Sequence, residues 1–173
     1  MKVIDEFDIP IYGLKEGIHN YSFEVGNKFF EYFNNNDLPS GELIVEVIIN
    51  KQSQFIEFDL RLKGYLNLVC DRCLEEFDYY IDFEEKIFVR FGDKFEELDD
   101  NIIVIPKGEA RINIAQYIYE LTVVSIPYKK VHPEISSGKT ACNPEMIKKL
   151  NELKVEDTID RTDPRWDILK NLN

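Results

Sequence analysis

Cationic charge, cysteine, histidine and long apolar runs are all scarce in this chain of 173 residues, and each scarcity narrows what it can do. Only 21 Lys and Arg stand against 33 Asp and Glu, a formal charge of -12. That balance repels a phosphate backbone at long range and argues against binding nucleic acid by net charge alone. No apolar run approaches the roughly 18 residues of a membrane span, and Met1-Lys2-Val3-Ile4-Asp5-Glu6 lacks the apolar core of a signal peptide. The expectation is a cytoplasmic protein with no membrane partner. Three cysteines cannot all pair within one chain, and a reducing compartment keeps thiols free, so a disulfide framework is not expected. Also missing are a glycine-rich phosphate loop, Gly-x-Ser-x-Gly and His-Glu-x-x-His. Nothing here builds an active site or a small-molecule substrate site, and the chain is expected not to be an enzyme.

What is present is a folded chain, 44% hydrophobic and 13% aromatic. Its charge is uneven. Residues 1–127 hold 12 Lys and Arg against 25 Asp and Glu, and residues 128–173 hold 9 against 8, so the two parts carry -13 and +1. Any nucleic-acid contact is therefore expected through the last quarter. We expect residues 1–127 to form an antiparallel β domain with a covering helix, and 128–173 a tail of two short helices packed on it.

The lead-in 2–12 reads as extended, followed by a glycine turn at 13–17, a strand near 18–25 and a short helix or irregular segment near 26–33. A loop at 34–41 follows. Leu43, Val45, Val47 and Ile49 alternate through a strand 42–50. Ile56, Phe58, Leu60, Leu62, Leu66 and Leu68 then share one parity while Glu57, Asp59, Arg61, Lys63 and Asn67 take the other, giving one buried and one wet sheet face. Gly64 interrupts the apolar series and suggests a bulge or bend. Phe77, Tyr79, Ile81, Phe83, Ile87, Val89 and Phe91 repeat the pattern, with Glu85 the charged exception. The acidic stretch 93–101 reads as a solvated loop before a strand at 102–105. Asn113 with Gln116 resembles a capping box opening a helix that carries Ile114, Ile118, Leu121 and Val124 on one face and stops at Pro127. A loop at 135–140 and two Pro-started helices, at Asn143-Pro144 with Ile147, Leu150 and Leu153 and at Asp163-Pro164 with Trp166, Leu169 and Leu172, complete the tail. The fold class is α+β: a mainly antiparallel sheet or partial barrel of about six strands, one covering helix and a helical tail.

The chemistry concentrates in Cys70-Asp71-Arg72-Cys73-Leu74, where one long strand stops and the next begins. Two thiolates at this spacing on a hairpin tip can hold one metal ion, and His132 and Cys142 can complete a tetrahedral zinc shell. A site reduced to the hairpin pair with other ligands, and plain buried thiols, remain alternatives. A redox dithiol would sit at a helix start, a context missing here. His19 reads as a turn or surface residue.

The strand ending Val69-Cys70-Asp71-Arg72-Cys73-Leu74, the aromatic strand after it, the capped helix ending Ser125-Ile126-Pro127 and the Cys142 tail resemble the YceD-like family of large ribosomal RNA subunit accumulation proteins. Cys142-Asn143-Pro144-Glu145-Met146 and Asp163-Pro164-Arg165-Trp166-Asp167 resemble the form found in Bacteroidetes members. The resemblance implies a non-enzymatic ribosome biogenesis factor whose partner is large-subunit ribosomal RNA, a large-subunit ribosomal protein or a precursor particle. It maps the family's first cysteine pair onto Cys70 and Cys73. Many relatives carry a second cysteine-rich cluster near the tail, where this chain has only His132 and Cys142. If RNA is touched, the expected phosphate contacts are Arg72, Lys129, Lys130, Lys148, Lys149 and Arg165. The rival reading is a zinc-stabilised interaction or regulatory module with no ribosomal role.

Overall fold

The structure, a computed structural model, describes residues 3–33, 40–136 and 139–154. A 3-10 turn, Val3–Phe7, leads into β1 (Asp8–Pro10), β2 (Gly17–Val25) and α1 (Asn27–Tyr32). Three long strands follow, β3 (Gly41–Lys51), β4 (Phe55–Val69) and β5 (Glu76–Gly92), then β6 (Glu96–Asp99), β7 (Ile102–Pro106) and β8 (Arg111–Asn113). The helix α2 (Ala115–Ser125), the short strands β9 (Glu134–Ser136) and β10 (Lys139–Thr140), and α3 (Pro144–Glu152) finish the described chain. Six strands form one open sheet in the order β2-β3-β4-β5-β7-β6. Every pairing in it is antiparallel except β5 with β7. The α+β reading holds, and the sheet does not close into a barrel.

Period-two alternation decides which sheet face is inside, because successive side chains leave a strand on opposite sides. Leu43, Val45, Val47 and Ile49 of β3 lie beside Ile56, Phe58, Leu60 and Leu62 of β4, and all eight are buried. Helix α2 and the N-terminal segments cover this face. Phe7 meets Phe29 edge-on with ring centroids 4.9 Å apart, and Phe33 stacks on Tyr119 at 4.3 Å, which joins α1 to α2. On the open face three cations, Arg61, Lys63 and Lys86, are tied to carboxylates across strands. Arg61 forks onto Asp82 with two bonds of 2.7 Å, Lys86 reaches Glu57 at 2.6 Å and Asp59 at 3.0 Å, and Lys63 reaches Glu46 at 3.3 Å.

Several sequence expectations change. The lead-in contains a 3-10 turn, and its strand β1 pairs with β8. Gly64 is no bulge: β3 and β4 stay in register through it, and its role is a close backbone approach. The acidic stretch 93–101 is partly strand β6, because the free edge of β7 supplies ladder partners that outweigh three acidic side chains. Asn113 Oδ1 does accept from the Ala115 N–H at 3.0 Å, yet Gln116 does not close the box and instead donates to Glu120. The buried stripe of α2 is Ala115, Ile118 and Thr122, with Val124 exposed. The 135–140 loop belongs to a β9–β10 hairpin. On α3 only Met146 and Ile147 pack against the core, while Leu150 and Leu153 are exposed. The helix expected after Asp163-Pro164 lies outside the described residues, as do most of the loop at 34–41 and Arg165.

Candidate metal centre

The sheet's two longest strands meet at Cys70, and a tight turn lets β4 reverse into β5. The Leu74 N–H donates to the Cys70 carbonyl at 2.9 Å and the Cys70 N–H to the Glu75 carbonyl at 2.9 Å. Leu74 has φ 60°, and among the described residues no other non-glycine has positive φ. A branched side chain is rarely held there, and such outliers gather at functional sites. This left-handed residue, immediately after Cys73, lets both cysteines point inward at the tip.

The second half arrives from the other direction. After Pro127 the chain runs along the hairpin tip, where Asp71 grips it twice: its backbone N–H donates to the Lys130 carbonyl, and its carboxylate accepts from the Lys130 N–H, both at 2.7 Å. His132 follows two residues later. The β9–β10 hairpin then folds back, with Ala141 N–H donating to the Pro133 carbonyl at 3.3 Å, and returns Cys142 to the side of His132. Asn143 caps α3 through Glu145 N–H at 2.9 Å while its amide donates to Glu75 at 2.7 Å, fixing the far side of the turn.

The four expected side chains are brought together. The ligand atoms of Cys70, Cys73, His132 and Cys142 all lie within 4.8 Å of one another. Cys70 Sγ is 3.7 Å from Cys142 Sγ, Cys73 Sγ is 3.4 Å from His132 Nδ1, and Cys142 Sγ is 3.7 Å from the same nitrogen. A tetrahedral zinc with Zn–S about 2.3 Å and Zn–N about 2.05 Å spaces its ligands about 3.8 Å for S···S and about 3.6 Å for S···N. The residues fit the ion. Their environment fits it too. Burial pushes the Cys70 thiol up, but the backbone N–H groups of Cys73, Arg72 and His132 and the His132 ring outweigh it and bring the thiol down to about 6. Burial raises the Cys142 thiol, and its neighbours Cys70 and Cys73 add to that rise against a bond with Thr140. Phe77 lies 4.7 Å from the imidazole, centroid to centroid, and shields that side.

Sequence reasoning reads Phe77 as a strand residue and Asn143 as a helix start and does not connect them, or Asp71 and Glu75, with the support of the site. The chain signals Asn143 as a cap, and nothing signals that Asp71 would grip a backbone fifty-nine residues away. Asp71→Ala removes the bond to Lys130 N–H. Such outer partners typically carry about 10–100-fold of metal affinity, so competition with a chromophoric chelator should show zinc held about tenfold more weakly, with Asp71→Asn intermediate.

Of the expected phosphate contacts, five lie among the described residues. Arg72 and Lys129 are exposed, Lys130 is half-buried, and Lys148 and Lys149 are exposed on α3. Lys148 has a long ion pair with Glu152 at 3.9 Å; Arg72, Lys129, Lys130 and Lys149 have no ion pair among the described residues. No helix among the described residues is long and apolar enough to cross a membrane. Among known families, the one described as Large ribosomal RNA subunit accumulation protein YceD matches residues 58–173. No curated protein and no solved structure matches.

Proposed function

From the premise that this chain belongs to the YceD family of large ribosomal RNA subunit accumulation proteins, we propose that it is a non-enzymatic assembly factor that contacts large-subunit RNA through its metal-centre end. The observation that carries this reading is that the four-ligand cluster lies next to a chain crossing, Asp71 on Lys130, whose neighbours Arg72 and Lys129 are exposed cations with no ion pair among the described residues. Cys70, Cys73, His132 and Cys142 would hold zinc. A zinc ion there would supply cross-linking and charge neutralisation, with no open coordination position for catalysis. The protein's own residues do the rest: Asp71 and Asn143 hold the tail on the hairpin tip, which places Arg72 beside Lys129 and Lys130. Lys148, Lys149 and, from the sequence, Arg165 extend the same basic tail. Arg61, Lys63 and Lys86 of the sheet are each held by cross-strand carboxylates, whereas residues 128–173 carry a charge of +1 against -12 for the whole chain.

Counterion release gives the test. Each single-strand phosphate contact contributes about -0.7 to the slope of log K against log salt. Replacing Arg72, Lys129 and Lys130 together by glutamine should therefore flatten the slope for large-subunit RNA by about 2 units, and lower its comigration with large-subunit precursors in low-salt sucrose gradients. An unchanged slope with unchanged comigration would defeat direct RNA contact by these residues. Retained comigration without RNA binding would assign the association to a ribosomal protein.

A further inference from the structure

On the buried side of the sheet, away from the metal centre, α2 leaves part of the face uncovered. Phe83 and Glu85 of β5, Ile103 of β7 and the end of β6 form one wall, and Tyr117, Glu120, Leu121 and Val124 of α2 form the other, around a groove of about 860 Å³. The groove has an apolar floor with open apolar rims: Leu98 is 54% exposed and Val124 69%. Five carboxylates line it, Glu85, Glu97, Asp99, Asp100 and Glu120, without one Lys, Arg or His. None of the five forms an ion pair among the described residues, whereas Glu46, Glu57, Asp59, Asp82 and Glu84 on the opposite sheet face are paired across strands. Glu85 stands opposite the buried Leu60, at an inward position where the strand pattern calls for an apolar side chain. A carboxylate there interrupts the inward apolar series without gaining an ion pair, the kind of local conflict that marks a site built for something else.

We propose that this groove docks a lysine- or arginine-rich polypeptide segment that also carries apolar side chains, supplied by a partner protein. Charge complementarity selects the occupant. Phosphates of RNA would meet five uncompensated carboxylates, and like-charge juxtaposition suppresses wrong partners. A divalent cation or a polyamine would answer the charge and leave Leu98 and Val124 wet; only a basic amphipathic segment answers both. Tyr117 reports the same field, its hydroxyl pushed up to about 12 by burial together with Glu97 and Glu120. The inference stands on the groove's own geometry and charge, and it holds whether or not RNA contacts the metal-centre end.

The test uses the full chain and a fluorescein-labelled peptide of about fourteen residues made of lysine and leucine, read by anisotropy at physiological salt. Two triple variants remove the same charge: Glu85→Gln, Glu97→Gln and Glu120→Gln in the groove, and Glu24→Gln, Glu42→Gln and Glu76→Gln on the open sheet face. The groove triple should weaken binding at least about tenfold, and the open-face triple by less than about twofold. Exchanging the peptide's leucines for serine, or changing Leu98 and Val124 together to serine, should also weaken it. Equal losses from the two triples would mean diffuse attraction to an acidic protein and overturn the proposal. So would indifference to the leucines, which would indicate a charge-only site for a divalent cation or polyamine, or tighter binding of a single-stranded RNA of the same length. Thermal melts of all variants establish that they fold.

Discussion

Removing zinc from the purified protein should lower its melting temperature by about 8–16 °C. The size follows from linkage: free metal at a thousandfold above its dissociation constant stabilises the folded state by about 4 kcal/mol, and for a domain of 150–250 residues each kcal/mol is worth about 2–4 °C. The folded state alone assembles the four ligands, since His132 and Cys142 are contributed about sixty and seventy residues after the hairpin pair. Cys142→Ser should carry less than one metal per chain and melt close to the chelated wild type. His132→Cys, which offers four thiolates to a metal that accepts them, should keep the metal and most of the stability. Chelation should also loosen the tail, read as faster hydrogen exchange at Lys130 N–H, whose bond to Asp71 depends on the tail staying docked. Protein purified without metal, with Cys142→Ser melting like the wild type, would end the metal reading. The cysteines would then be buried thiols.

The parts of the fold that were legible in the sequence are those in which side-chain alternation alone decides the structure. Three long strands carry apolar residues on one parity and charges on the other, so their existence and their inward face can be read without neighbours. The strand β6 could not, because Glu96-Glu97-Leu98-Asp99 has no alternation and owes its extended form to the edge of β7. Val124 shares helical spacing with Ile118 and Leu121, yet it points into the acidic groove, because α2 ends before it can cover the whole face. In the site, the cysteine spacing on a hairpin tip was a local signal, and His132 and Cys142 followed only as the remaining soft ligands. What brings them there is non-local. Asp71 holding Lys130, and a hairpin between Pro133 and Ala141, leave no periodic trace in the residues that make them.

The same limit applies to Gly64, which reads as a break in a strand and turns out to be a place where β4 packs against β3 with no room for a side chain. Its φ is 150°, outside the range that L side chains favour, and a Cβ there would run into the Glu42 carbonyl oxygen and lie 2.9 Å from Leu43 Cα, both backbone atoms of β3. Neither atom can swing aside as a side chain tip would. Gly64→Ala must either part β3 from β4 at the middle of the sheet or bend β4 away from its register with β5, where Gly64 lies opposite Ile81. Backbone strain of about 1–3 kcal/mol adds to the lost ladder and packing, and the whole is expected to exceed about 4 kcal/mol, at the top of what single substitutions do. Gly13 provides the comparison, since its φ is 82° but nothing lies within 4 Å of an added Cβ. Gly13→Ala should cost only the left-handed conformation, about 1–2 kcal/mol. Urea melts of the two variants separate the terms. A Gly64→Ala loss no larger than that of Gly13→Ala would mean that the strands yield locally and that the close approach is not what fixes the register of β3 against β4.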